Sequence, residues 1–166
     1  MRKLVQSFLV HTDIQKRWIE KFKQVEAQFK ARAAEHDLKA QFPFENVQWL
    51  INKGYTKLTL PKAYGGEGAT IEDMVILQSY LGAIDGATAL SIGWHLSVIG
   101  QIFQQQMWDP SMLQVFAREV VGGALVNRAV SEAETGSPTR GGRPLPRMLL
   151  RLTKDINSMV LKHSHQ

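Results

Sequence analysis

The sequence contains no cysteine, which excludes disulfides and thiolate metal sites and fits a reducing compartment. Long hydrophobic runs are also missing. The N-terminal stretch MRKLVQSFLVHTDIQ starts basic, but its apolar part, LVQSFLV, is broken by polar residues. It is too short for a signal-peptide core or a membrane span. These absences predict a cytoplasmic protein with no membrane partner. A broad basic surface is missing too. Of the net charge of +5, residues 145–166 supply +3 through Arg147, Arg151, Lys154 and Lys162 against Asp155. No aromatic residue is interleaved with that tail, which speaks against a nucleic-acid partner. What remains is ordinary for a folded domain: 166 residues, 44% of them hydrophobic, enough for one real core.

Trp18, Phe22, Val25 and Phe29 recur at spacings of four, three and four, one stripe of an amphipathic helix over 11–37. FPFENVQWLINKG reads as a second helix, with Pro43 at its start and Gly54 just past its end. LTLPKAYGGEGAT is turn-rich, and Thr70 then caps a third helix with Asp73 three residues on. Residues 86–107 form an almost wholly apolar helix with small residues interspersed, which predicts burial between other helices. Pro110 opens a fifth helix and Gly122–Gly123 ends it; ALVNRAV is then a short strand-like run. The fold class expected is all-α: an up-and-down helical bundle with a short terminal strand and loop.

Few residues offer chemistry in recognisable arrangements. His163 and His165 lack an acidic or third histidine partner nearby, so no metal site is expected. His95, on the apolar helix, is read as buried and hydrogen-bonded rather than catalytic. The glycines of YGGEG lack a following Lys-Ser/Thr pair, so they read as a structural turn rather than a phosphate cradle. SEAETGSPTRGGRP, residues 131–144, differs in kind. Its small residues, hydroxyls and glycines suit a carbonyl-rich or anionic ligand met by backbone dipoles.

Three stretches resemble the acyl-CoA dehydrogenase family. LPKAYGGEGAT is similar to that family's (I/L)-P-x-x-Y-G-G-x-G signature, ATALSIGWHLSVIGQIF to its long apolar helix, and AVSEAETGSP to its flavin loop. The resemblance covers residues 1–144 and implies an N-terminal helical domain over 1–123. Residues 124–144 would begin a β-domain. It implies FAD as cofactor, an acyl-CoA thioester as substrate, electron-transfer flavoprotein as acceptor and a homo-oligomeric intact protein. Ser131 stands where the family has a threonine at the pyrimidine edge of the flavin. Arg128, Ala129 and Val130 match the strand entering that loop. Gly136 and Ser137 match the residues lining the flavin, with Ser137 also facing the acyl-CoA. The family's base, a carboxylate removing the acyl α-proton, belongs to a C-terminal helical domain and maps onto no residue here. Ala133 and Glu134 replace the usual Pro-Gly, Pro138 the usual aspartate and Arg128 a common aromatic. Two alternatives accompany the resemblance: a flavin-dependent oxidase or monooxygenase on the same scaffold, and a non-catalytic helical interaction module.

After Pro144 the family continues as a strand near D/E-G-Y-x-L-N-G-x-K-x-F-T-S, which the tail does not match. Reading the third base of each codon with the first two of the next restores that pattern. Met159–Val160 then encodes glycine whatever codons are used, and Lys154–Asp155 encodes Gly or Arg. Asp155–Ile156 gives Tyr or His. The other shifted frame removes both glycines. The expectation is a truncated chain in which 145–166 is an out-of-frame tail, poorly packed or opportunistically helical. The strand at 124–130 would then lack its sheet, and this chain alone would be inactive and hold FAD weakly.

Overall fold

The structure, a computed structural model, describes residues 10–106, 108–129 and 149–153. Five α-helices account for most of it: α1 (Asp13–Leu38), α2 (Phe44–Lys53), α3 (Ile71–Gly82), α4 (Gly86–Gln104) and α5 (Pro110–Val121). The all-α bundle expected from the sequence is the fold observed. α1 opens on a capping box: the Thr12 side chain accepts from the Gln15 amide, and the Gln15 side chain returns to the Thr12 amide. The stripe Trp18, Phe22, Val25 and Phe29 is buried along its whole length. α2 follows Pro43 and ends at Gly54, whose φ of 79° is the left-handed cap position that glycine fills without strain. α5 begins with Pro110 behind an Asp109 cap and stops at Gly122.

The core has two parts. The larger gathers Trp18 and Phe22 of α1, Leu50 of α2, Leu77 and Leu81 of α3 and Leu96 of α4 around Tyr55. Tyr55 meets Trp18 and Phe22 edge-on, at centroid distances of 4.8 and 5.2 Å. The smaller packs Val98, Ile99 and Ile102 from the second half of α4 against Phe116 and Val120 of α5 and Val126. α4 therefore belongs to both cores, which is why its sequence is so apolar.

Two expectations are corrected. α4 is buried on one side only: Ile92, His95, Leu96 and Ile99 point inward, whereas Leu90 and Trp94 are 69% and 59% exposed. The tail is neither helical nor without a partner over its described part. Leu125–Ala129 forms β1 and Leu149–Thr153 forms β2, paired antiparallel with Leu125 opposite Thr153 and Ala129 opposite Leu149. The unpaired backbone of β1 needs a ladder, and that demand outweighs the weak helical preference of Arg-Met-Leu-Leu-Arg-Leu.

Candidate functional site

The loop LPKAYGGEG is a scaffold. Pro61 is extended, Lys62–Tyr64 makes one 3-10 turn, and Gly65 and Gly68 take φ of 86° and 66°. Gly66 has no room for a side chain, because a Cβ there would collide with the Leu60 carbonyl. The loop's amides are spent inward: Gly66 donates to Pro61, Glu67 to Lys57, Gly68 to Leu60 and Ala69 to Leu58. Donors folded back in this way cannot cradle a phosphate, in accord with the structural-turn reading. Glu67 then fastens the loop to α1. Trp18 Nε1–H donates to its two oxygens at 3.0 and 3.1 Å, and Arg17 pairs with it.

That scaffold forms one wall of a trough between α3 and α4. A first lobe of about 600 Å3 lies among Pro61, Ala69, Ile71, Met74, Leu96, Ser97, Gly100 and Phe103. A second lobe of about 510 Å3 runs over Val75, Gln78, Leu90, Gly93 and Trp94. The lobes share Met74 and Ser97 and so adjoin. Ile71, Val75, Leu90 and Trp94 are the exposed large apolar residues of α3 and α4, and all four line it. Among the described residues, neither lining contains a lysine, arginine, histidine, aspartate or glutamate. An uncharged apolar trough between helices suits a flexible, mostly hydrocarbon ligand with a few amides.

Behind the trough, His95 joins α4 to β1. Its Nε2–H donates to the Thr56 carbonyl at 2.8 Å, and its Nδ1 accepts from the Val126 amide at 3.0 Å. Both bonds together require the neutral imidazole with its proton on Nε2. Burial pushes its pKa down to about 4, against a smaller upward pull from the Thr56 carbonyl. The structural reading of His95 is therefore the observed one.

Of the residues assigned to the flavin, Arg128 and Ala129 lie in β1, opposite Leu150 and Leu149. Val130, Ser131, Gly136 and Ser137 lie outside the described residues, as do His163 and His165. His95 anchors β1 two residues before Arg128. Sequence reasoning missed the trough. Its signal was present in Leu90 and Trp94, which stand four apart on α4 and off the buried face. No cluster of three or more potential metal ligands occurs among the described residues. None of the described helices is long and apolar enough to cross a membrane.

Comparison with known proteins fits this architecture. Residues 12–124 match the family described as acyl-CoA dehydrogenase, N-terminal domain. The putative acyl-CoA dehydrogenase YdbM of Bacillus subtilis is 48% identical over 138 residues, covering 83% of this chain and 36% of that protein. The probable acyl-CoA dehydrogenase FadE25 of Mycobacterium tuberculosis is 30% identical over 113 residues, 68% of this chain and 28% of its own length. A 3-sulfinopropanoyl-CoA desulfinase of Variovorax paradoxus is 28% identical over 113 residues, with coverage of 68% and 28%. The chain spans about a third of the length of the curated relatives it matches. The helical architecture, the loop that walls the trough and the match over residues 12–124 lead to one assignment: the chain belongs to the acyl-CoA dehydrogenase family, whose N-terminal domain it carries.

Proposed function

We propose that this chain is the N-terminal part of an FAD-dependent enzyme that introduces a double bond between the α and β carbons of acyl-CoA thioesters. The observation that carries this reading is the uncharged trough between α3 and α4, in a domain of this family. In this reading the trough receives the acyl and pantetheine parts of the thioester, and electron-transfer flavoprotein takes the electrons onward. FAD, when bound, accepts the hydrogen that leaves the β-carbon as hydride. The chain's own share is to hold and orient. The trough walls exclude water from the acyl chain, and β1 carries Arg128 and Ala129, which with Val130 would enter the flavin edge. Ser131, Gly136 and Ser137 would hold the flavin, with Ser137 also serving the thioester. A hydroxyl and backbone N–H aimed at the flavin's pyrimidine edge favour the charge that builds on reduction. In this reading the base that removes the α-proton maps onto none of these residues. The 48% identity to a protein named as a putative acyl-CoA dehydrogenase supports dehydrogenation.

The domain boundaries follow the same reading: a helical domain over 1–123, the start of a β-domain over 124–144, and an out-of-frame tail over 145–166. Determining the gene's nucleotide sequence tests the tail, because a shifted frame that fails to continue the family strand would overturn it. The thioester site is tested with Trp94, which is exposed and lines the trough. Octanoyl-CoA should shift the tryptophan emission of the chain, free CoA much less, and Trp94→Phe should abolish the response. Equal binding of CoA and octanoyl-CoA would remove the acyl group from the trough.

A further inference from the structure

α1 carries four lysines, and three of them are ion-paired on their own helix: Lys16 with Asp13, Lys23 with Glu20 and Lys30 with Glu26. Lys21 is placed differently. Its ammonium lies 3.8 Å from the centroid of the Trp18 ring, and the residue is half-buried. The carboxylate in its field is Glu67, which is already engaged. Both Glu67 oxygens accept from Trp18 Nε1–H, and Arg17 pairs with the same group. Arg17, one turn earlier on α1, and Lys53, the last residue of α2, add like charge to the neighbourhood.

A partly desolvated lysine beside other cations gives up its proton more readily than one in water. Glu67 and the indole face favour the ammonium. Burial is the larger effect, and with Arg17 and Lys53 it holds Lys21 below the ordinary lysine value. Lys23 goes the other way, because its hydrogen bond to Glu20 lifts it above that value. More of Lys21 is therefore free amine at a given pH, and only the free amine is a nucleophile.

We propose that Lys21 is an acylation site, whose Nζ takes the acyl group directly from an acyl-CoA thioester. The Nζ lone pair attacks the thioester carbonyl carbon, and a C–N bond forms. The C–S bond breaks, its electron pair leaves with sulfur, and the proton lost by nitrogen ends on the CoA thiol. Nothing is oxidised or reduced. The product is an uncharged amide, so Trp18 loses its cation and Arg17 and Lys53 lose a like-charged neighbour. The donor is of the class that the proposed function brings to this protein, whereas the reactivity of the amine does not depend on the trough.

The test incubates the 166-residue chain with acetyl-CoA at mildly alkaline pH and follows the acetyl content of each lysine by digestion and mass spectrometry. Lys21 should gain acetyl about fivefold faster than Lys16, Lys23 and Lys30, since the initial rate follows the fraction of free amine. Arg17→Gln removes a like charge and releases Glu67 toward Lys21, so it should slow this site about twofold and leave Lys23 and Lys30 unchanged. Glu67→Gln keeps an acceptor for Trp18 and removes the opposing charge, so it should speed Lys21. Far-UV circular dichroism establishes that each variant is folded. In concentrated urea the four lysines should react alike. Lys21 reacting no faster than the ion-paired lysines overturns the proposal. An advantage that survives urea, or one that neither variant changes, overturns it equally.

Discussion

Burial holds the His95 imidazole neutral, and its pKa of about 4 lies well below the ordinary 6.5. The unfolded chain therefore takes up a proton on this group before the folded one does. Its contribution to stability is fully present above pH 6.5 and is lost as the pH falls from there through 4. A shift of this size corresponds to about 3 kcal/mol. Urea unfolding followed between pH 7 and pH 4 should show that loss, and His95→Gln should flatten it over the same window. Gly66 gives a second prediction at this scale. A Cβ there would overlap the Leu60 carbonyl, and backbone cannot step aside as a side-chain tip could. Gly66→Ala should cost about 3 kcal/mol or more, read as a lower urea midpoint. The glycine pattern of YGGEG was legible as a turn, but which glycine is indispensable was not. Gly66 has an ordinary φ, and its constraint comes from a carbonyl six residues earlier in the chain.

Asp73 works between elements. Its Oδ2 accepts from the Thr70 amide and hydroxyl, closing the capping box of α3. Its Oδ1 accepts from the Thr12 hydroxyl at 2.6 Å and from Gln15 Nε2 at 2.8 Å, so the same carboxylate ties down the start of α1. Burial alone would raise its pKa; the hydrogen bonds from Thr12, Thr70 and Gln15 outweigh that and hold it below the usual carboxylate value. Asp73→Ala should leave donors of two helix starts without an acceptor and destabilise the chain by about 2–3 kcal/mol in urea unfolding. Replacing an ordinary cap carboxylate costs about 1 kcal/mol, so a loss of that size would show that the link to α1 contributes nothing. The sequence made the Thr70–Asp73 half of this device visible, since its spacing is local. The Thr12–Gln15 half joins it across about sixty residues, and no periodicity reports such a distance. The face of α4 was hidden for a related reason. Its apolar residues serve two cores and a trough at once, and a single helix pattern cannot apportion them.

At the scale of the whole molecule, the bundle holds both cores and the ribbon lies at its margin. The α1 stripe, the caps and the helix order could be read from sequence because each rests on spacing within one helix. The β1–β2 pairing could not, since nineteen residues separate the strands and pairing is decided by whichever backbone is available. Two-stranded ribbons are marginal by themselves, whereas β1 also has Leu125 and Val126 buried in the cores and His95 holding its Val126 amide. β1 should therefore keep its place without β2. A chain ending at residue 144 should retain the helical circular-dichroism signal and unfold cooperatively, with a loss of about 1 kcal/mol or less relative to the 166-residue chain. A loss several times larger, or unfolding in two steps, would make β2 an integral part of the domain and would contradict the boundary proposed at 144.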